Sequence, residues 1–521
     1  MSETSPATPD PTPRIAEGDP TGPTVSVDLT PGEPAPAPRR RARKLLTIGL
    51  AGGLVLVGGA GAVAYAMLSG GGAQPHDVLP ANALAYARVD LDPSAGQKVE
   101  VLRLLQKFPA LADSVGDEDA DLRALFVEKA LEDCDVDFAA DVEPWLGQRV
   151  GVALLDEPFE PVVAIQVDDE DKARAGITEL AECSGAEADG IAFLDGYAIV
   201  GSGQEAVDTA VAAAAEESLG ETSAFTAATE KVGDQGVASG WADYGALMAH
   251  PELADLMAEG LEQSGQPPIE LPELTGDLGT ATVVIRAESS AIEVRGAFEG
   301  AEEMLGESSL DPAQLPDSTA IAYGTAMSDE FAEQYADTFL DAFVGAGGAQ
   351  ASAQVEAMLG VSIEELTTLL LSDPLLTVGE RGLADLDTFT GPESVENLDV
   401  ALRSHGDQAE LRDIDERLAA AAETIGGVRL TVQDVDGGVA LATSDSALEV
   451  GSGLAASEAF GSVVPFDSVS SLSYLDFDKL GPVIELIAEG DETVLSNLEP
   501  LRAFGVSSSG DEFAMRLSFD G

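Results

Sequence analysis

The chain has 521 residues, 45% of them apolar and 5% aromatic, which is enough material for roughly two to four domains with buried cores. Its charge is extreme, because 26 Lys and Arg stand against 94 Asp and Glu and give a net charge of −68. Such a surface repels phosphate backbones and anionic lipid headgroups, which argues against nucleic-acid binding.

Residues 1–44 are predicted to form a disordered cytoplasmic tail that ends in a basic stop. The tail is rich in Pro, Thr, Ser and Asp and has almost no periodic apolar pattern, so it cannot bury enough surface to order itself. Its six acids and six bases cancel, and residues 45–68 carry no charge. The whole charge of −68 therefore lies on residues 69–521.

Residues 45–68 read LLTIGLAGGLVLVGGAGAVAYAML and are predicted to form a transmembrane helix. A helix of this length reaches roughly 36 Å, and the hydrocarbon core of a bilayer is about 30 Å thick. The bases 39–44 precede it and the next base is Arg88, so the positive-inside rule keeps the N-terminus cytoplasmic and places the C-terminal bulk outside.

Two alternatives to an uncleaved anchor fit the sequence less well. A cleaved signal peptide has its basic region near residue 1 and a shorter apolar core, and a lipoprotein needs a cysteine that this span lacks. The sequence favours the anchor. Gly49 and Gly53 stand four apart, a spacing that permits a weak homodimer through the helix.

After a predicted linker at residues 69–78, the pattern predicts an α+β fold. Alternating or continuous apolar runs predict strands at 150–155, 161–167, 280–286 and 428–432. Helical spacing predicts helices at 99–108, 121–131, 205–215, 329–343, 355–371 and 411–424. Strands come in adjacent pairs between helices, which favours mostly antiparallel sheets with flanking helices.

The outer region is predicted to consist of two homologous halves, residues 79–310 and 311–521. Five sequence elements of the first half recur in the second in the same order. They are LPANALAY at 79–86 with LPDSTAIAY at 315–323, LGQR at 146–149 with VGER at 378–381, DGYAIV at 195–200 with DGGVAL at 436–441, WAD at 241–243 with YLD at 474–476, and the final strands from Ile292 and Phe513.

The basic stop and apolar helix, LPANALAYARVDLDPSAGQ at 79–97, DVEPWLGQR at 141–149 and GVASGWADY at 236–244 resemble a family of actinobacterial membrane proteins. The family is known only as domain of unknown function 3352. The resemblance implies a single-pass envelope protein of unknown role, and it brings no catalytic residues with it.

Cys134 and Cys183 are the only cysteines, and the predicted orientation places both outside the cytoplasm, where disulfides persist. A bond between them would close a long loop and stabilise the fold by roughly 4 kcal/mol. With no second cysteine pair and no nearby histidine, the pattern does not indicate a metal site, and no cofactor motif occurs.

Asp90, Asp92, Asp243 and Asp476 follow strand-like runs and precede helical ones. Paired carboxylates could serve acid–base hydrolysis of envelope glycans. An Asp in this position equally caps the next helix by accepting its free N–H groups, and this is the favoured interpretation.

The sequence favours a non-enzymatic, membrane-anchored extracytoplasmic protein that binds or scaffolds an unknown component of the cell envelope. None of the three histidines lies in a nucleophile–base or zinc-ligand pattern. An envelope hydrolase and a membrane-tethered solute-binding protein are the alternatives, and the second of these predicts a cleft between the halves.

Overall fold

The computed structural model describes residues 73–91, 103–104, 106–108, 123–124, 136–184, 188–233, 236–253, 279–300, 310–326, 328, 349–371, 373–388 and 391–520. The predicted tail at 1–44 and membrane helix at 45–68 lie outside these residues. Within them, no helix is both long and apolar enough to cross a bilayer.

The described part of the chain contains sixteen strands in one sheet. They are β1 Ala83–Asp90, β2 Leu146–Leu155, β3 Pro161–Val167, β4 Gly190–Leu194, β5 Tyr197–Gly201, β6 Ala238–Asp243, β7 Thr280–Glu288, β8 Ala291–Phe298, β9 Thr319–Thr325, β10 Leu375–Gly379, β11 Val400–His405, β12 Thr431–Val435, β13 Gly438–Ala442, β14 Ser471–Asp476, β15 Leu501–Ser509 and β16 Glu512–Phe519.

Helices flank the sheet between these strands. They are α1 Glu170–Ser184, α2 Gln204–Glu216, α3 Ser223–Val232, α4 Tyr244–Ala249, α5 Ala349–Leu359, α6 Ile363–Leu371, α7 Pro392–Val395, α8 Gln408–Gly426, α9 Glu458–Val463, α10 Gly481–Ala488 and α11 Glu492–Leu498. The predicted α+β class with a mostly antiparallel sheet is confirmed.

The strand order is β12-β13-β11-β10-β9-β14-β15-β16-β8-β7-β6-β1-β2-β3-β5-β4, and every neighbouring pair among these strands is antiparallel. Strands β1–β8 form one set and strands β9–β16 form the other. Counted from its own edge to the middle of the sheet, the first set has the order β4-β5-β3-β2-β1-β6-β7-β8 and the second has the corresponding order β12-β13-β11-β10-β9-β14-β15-β16. Strand β8 pairs with β16 at the join, so the sheet continues from one set into the other.

Both faces of the sheet around β1 to β5 are covered. Alternate residues of a strand point to opposite faces. Val162 and Ala164 of β3 accordingly pack in one cluster with Phe225 of α3, whereas Val163 and Ile165 pack in another with Trp145 and α1. Burial on both faces explains why β3 reads as a continuous apolar run.

All five recurring sequence elements fall on corresponding strands, but one of them falls at opposite ends of its two strands. The Asp-Gly pairs at 195–196 and 436–437 both form the two-residue turns of edge hairpins, where Gly196 and Gly437 have positive φ. The match of LGQR with VGER is misleading, because LGQR begins β2 and Val378–Gly379 ends β10.

One further match is shifted by one residue. Tyr86 pairs with Trp241, and in the other set Ala322, not Tyr323, pairs with the corresponding Tyr474. A shift of one residue reverses the face of a strand. Tyr86 is accordingly buried, and Tyr323 is 60% exposed.

The predicted linker at 69–78 is packed over its last part. Residues 75–77 form a short 3₁₀ turn, and Val78 and His76 are buried. We call residues 73–78 the leading segment, because they are the first residues that the structure describes.

Candidate functional site

Three charged side chains lie deeply buried beneath the leading segment. Arg88 and Asp90 lie two residues apart on β1, and Arg149 lies opposite Asp90 on β2. Their side chains are 1%, 1% and 0% exposed. A buried charge is costly unless it is paired and hydrogen-bonded, so the contacts of these groups define the site.

Asp90 holds the two arginines together. Its Oδ1 accepts from Nε of Arg149 at 2.9 Å, and its Oδ2 accepts from an Nη of Arg88 at 3.3 Å. The same Nη of Arg88 donates to the carbonyl of Gly236 at 2.9 Å, which connects the group to the start of β6. One carboxylate therefore fixes two guanidinium groups in one orientation.

The two arginines in turn hold the leading segment. Arg149 Nη1 donates to the carbonyl of Ala73 at 3.0 Å, and the hydroxyl of Tyr197 donates to the same oxygen at 2.7 Å. Arg88 donates to the side-chain carbonyl of Gln74. We name Arg88, Asp90, Arg149 and Tyr197 the arginine clasp.

Apolar packing completes the attachment. Pro75 lies so close to Gly151 that a methyl group on that glycine would overlap the proline ring. His76 contacts the rings of Tyr86 and Phe225, and its Nδ1 lies 3.4 Å from the Tyr86 hydroxyl. The leading segment is thus part of the domain core.

Burial dominates the electrostatics of the site. Desolvation raises the pKa of Asp90 to about 6, against the opposing effect of the two arginines. Desolvation lowers the pKa of His76 to about 4, although Asp77 acts in the opposite direction, and it raises the pKa of Tyr197 to about 12. At neutral pH the clasp carries two positive charges and one negative charge, and His76 is neutral.

The arrangement is suited to holding a segment of chain. Besides their bonds to Asp90, the donors of the clasp point at backbone and amide carbonyls. Arg149 Nη2 is buried without a hydrogen-bond partner in the described part of the molecule. Within those residues, no group of three His, Cys, Asp or Glu side chains is arranged to bind a metal ion.

The predicted carboxylates have different surroundings. Asp243 caps α4 by accepting from the backbone N–H of Ala246 at 2.9 Å. Asp476 is buried and accepts from the hydroxyl of Tyr474 and from Lys479 Nζ, each at 3.1 Å. Asp90 belongs to the clasp and does not cap a helix, and Asp92 lies outside the described residues.

The predicted Cys134–Cys183 bond falls partly outside the described residues, which do not include Cys134. Cys183 lies in the last turn of α1 and is disulfide-bonded. The pairing stays a prediction.

Sequence reasoning missed Arg88, Arg149 and Tyr197 as functional residues. The sequence did contain a signal for Arg88, because residues 86, 88 and 90 of one strand share a face. A charged pair on the same face as Tyr86, inside an otherwise apolar strand, indicates a buried ion pair. The contact with Ala73 had no counterpart in the sequence pattern.

The fold and the clasp define an α+β protein built on one large antiparallel sheet. The model of a family described as Protein of unknown function (DUF3352) matches residues 50–191, which confirms the resemblance found in the sequence. No curated protein matches the chain.

Among solved structures, crystal form I of a protein named TP0453 is similar at 10% identity. The match covers 46% of this chain and 83% of that chain, with a TM-score of 0.21. A likeness this low carries no argument about function.

Proposed function

We propose that the protein is a single-pass, membrane-anchored extracytoplasmic protein that binds or scaffolds a component of the cell envelope. Its outer part consists of two homologous halves. The arginine clasp holds the first of these halves close to the membrane, so the binding surface has a defined position relative to the bilayer.

The contact of Arg149 and Tyr197 with the carbonyl of Ala73 is the observation that carries this proposal. Only residues 69–72 separate Ala73 from the end of the predicted membrane helix at Leu68. An extended chain spans at most about 3.6 Å per residue, so Ala73 would lie within roughly 18 Å of the membrane boundary. A scaffold attached in this way cannot move far from the bilayer.

Two observations support duplication as the origin of the halves. The two sets of eight strands follow the same order in the sheet. Corresponding backbone contacts also recur at the end of the first strand of each set, because the N–H of Asp90 donates to the carbonyl of Val237 as the N–H of Ala326 donates to the carbonyl of Ser470.

The charge and the cysteines agree with an external location. The acidic excess of the outer region argues against nucleic acid as a partner. The engagement of Cys183 in a disulfide supports an oxidising compartment. The bilayer would be contacted through residues 45–68, with Gly49 and Gly53 available for a weak homodimer.

No observation specifically supports either alternative function. The carboxylates of Asp243 and Asp476 that a hydrolase would use are engaged in local hydrogen bonds. A solute-binding protein would need a cleft between the halves, and at their join β8 and β16 are hydrogen-bonded strands of one sheet.

A topology experiment tests the proposal. A reporter that is active only outside the cytoplasm is fused after Gly521, and a second fusion at the same position carries a reporter that is active only inside. We expect activity from the external reporter alone, with the chain in the membrane fraction. Activity of the internal reporter alone would contradict the proposal.

The matched control replaces the four arginines and the lysine of residues 39–44 by glutamine, leaving the apolar span intact. Because the positive-inside rule depends on these bases, we expect this variant to give mixed or reversed orientation. An unchanged orientation would mean that another feature of the chain directs it.

A further inference from the structure

Helices α10 and α11 form a short helical hairpin between β14 and β15, in which the two helices contact each other. Helix α10 ends where Glu489 and Gly490 take positive φ, and Asp491 then caps α11 by accepting from the N–H groups of Thr493 and Val494. The two helices follow β14, an interior strand, so they begin at the end of the sheet where that strand stops.

The apolar surface of this hairpin is larger than the sheet covers. On its inner side, Val483 and Ile484 of α10 pack with the buried Leu480. One turn further along α10, Ile487 is 75% exposed, and its neighbour Leu486 is 45% exposed. A helix normally buries its whole apolar stripe, so clustered exposed residues of this kind indicate a contact surface.

A groove of about 800 Å³ runs between the two helices. Its apolar part includes Ile484, Leu495 and Leu498, and it is also lined by three glutamates, which are Glu485, Glu492 and Glu499. Ile487 lies one helical turn beyond the lining residue Ile484 on α10, and we name the lining residues together with Ile487 the acidic groove.

The three glutamates of the acidic groove make no ion pair within the described residues. This differs from Asp478 at the same groove, which pairs with Arg502 at 2.5 Å. Uncompensated carboxylates beside an apolar floor select a ligand that is both apolar and cationic, because the charges steer the ligand and the floor binds it.

We propose that the acidic groove binds a cationic amphipathic segment of a partner protein, with apolar side chains on the groove floor and Lys or Arg against the three glutamates. Charge complementarity selects this occupant. A second copy of a chain with a net charge of −68 would bring like charges together, and an anionic membrane surface would be repelled. The proposal goes beyond the function proposed above and holds for either membrane orientation.

Binding of a defined probe tests the proposal. The probe is a synthetic helical peptide with leucine at positions i, i+3, i+4 and i+7 and lysine elsewhere, and its binding to the full chain in neutral amphipol is measured by fluorescence anisotropy. We expect Ile487→Ser to weaken binding about tenfold. We expect the double substitution Glu485→Lys with Glu492→Lys to weaken it at least as much, with a smaller salt dependence.

Matched substitutions elsewhere control for general effects. Ile425→Ser removes an isoleucine that is 58% exposed on α8, and Glu216→Lys reverses an exposed charge at the end of α2. Both should change binding less than about twofold, since neither residue lies in the acidic groove. Equal effects of the control and groove substitutions would overturn the proposal, as would equal binding of a peptide with glutamate in place of lysine.

A fluorescent label distinguishes the peptide from other occupants. A polarity-sensitive dye on Ile487→Cys should shift to the blue when the peptide is added. A shift that is already complete in phosphatidylcholine bilayers without peptide would mean that lipid covers the groove. A shift that grows with protein concentration would mean a second copy, and either of these results would overturn the proposal.

Discussion

The two sets of eight strands differ at two corresponding positions in a way that explains the site. In β1, Arg88 and Asp90 point toward the leading segment, whereas the corresponding residues of the second set are Gly324 on β9 and Ala326 just after it. Arg88 and Asp90 are nearly fully buried, and so is Ala326. The same arrangement of strands therefore has charged residues at these positions in one set and small residues in the other.

This difference shows that the arrangement of strands can form without the buried charges. Replacing buried ion pairs by apolar residues is often neutral or stabilising, so a buried ion pair is weak evidence for stability alone. The charges occur where carbonyls of the leading segment require donors. We therefore interpret the clasp as a device for attachment, and the predictions below test the contrast with the second set of strands.

The largest expected effect is that of Arg149→Ala. Removing this side chain leaves Asp90 with only Arg88 and takes a donor from Ala73, so we expect a loss of about 3–5 kcal/mol in the free energy of unfolding. Denaturant unfolding of the full chain measures it.

The control for Arg149→Ala is Arg381→Ala, which alters the arginine of the misleading sequence match. Arg381 is 46% exposed and donates to Asp399, which also accepts from two serine hydroxyls. We expect a loss of about 1 kcal/mol. Equal losses for the two arginines would remove the special role of the clasp.

Acidification should weaken the attachment through His76. Its pKa is about 4 in the folded protein and about 6.5 in an unfolded chain, so between these values the unfolded state binds the proton preferentially. The contribution of His76 to the free energy of unfolding is therefore complete above pH 6.5, and it falls by about 3 kcal/mol as the pH falls to 4.

Comparing the wild type with His76→Gln isolates this effect, because the opposite contribution of Asp90 is common to both proteins. The difference in unfolding free energy between them should change across this pH range. Parallel pH profiles would show that His76 does not titrate as the burial of its ring requires.

Gly151→Ala should displace Pro75 at a cost of about 1–3 kcal/mol, since a side chain there overlaps the proline. Thermal unfolding measures this loss. In the second set, Gly461→Ala on α9 meets no atom within 4 Å and should be neutral or stabilising by up to about 1 kcal/mol. A neutral Gly151→Ala would mean that the leading segment moves freely.

The smallest expected effect is that of Tyr197→Phe, which removes one hydrogen bond to Ala73 while Arg149 still donates to that carbonyl. We expect a loss of about 1 kcal/mol in chemical denaturation. Tyr244→Phe, whose ring packs against Phe298, serves as the reference and should change stability by less than about 0.5 kcal/mol. A loss no greater than this reference would exclude the Tyr197 contact from the clasp.

Much of the fold follows from local patterns in the sequence. The predicted strand at 161–167 coincides with β3, and the predicted helix at 411–424 lies inside α8. The first is a continuous apolar run and the second has apolar residues at helical spacing, and both have clear ends. The single helix predicted at 355–371 is two helices, because Gly360 takes positive φ and Ser362 forms a capping box with Glu365.

The joining of all strands into one sheet could not be predicted, because it depends on pairings between residues far apart in sequence. The pairing of β8 with β16 brings Ala297 opposite Glu512. The same limit applies to the clasp. Local alternation could place Arg88 on the same face as Asp90, but the approach of Ala73 to Arg149 is a long-range contact. The predicted helices at 99–108, 121–131 and 329–343 lie largely or wholly outside the described residues.

Hydrogen exchange in the full chain tests the attachment of the leading segment most directly. The N–H groups of Asp77 and Val78 are hydrogen-bonded inside the packed turn. We predict that they exchange more slowly than those of the edge strand β12 and that Arg149→Ala accelerates them selectively. Exchange at the rate of an unstructured peptide in the wild type would contradict the account.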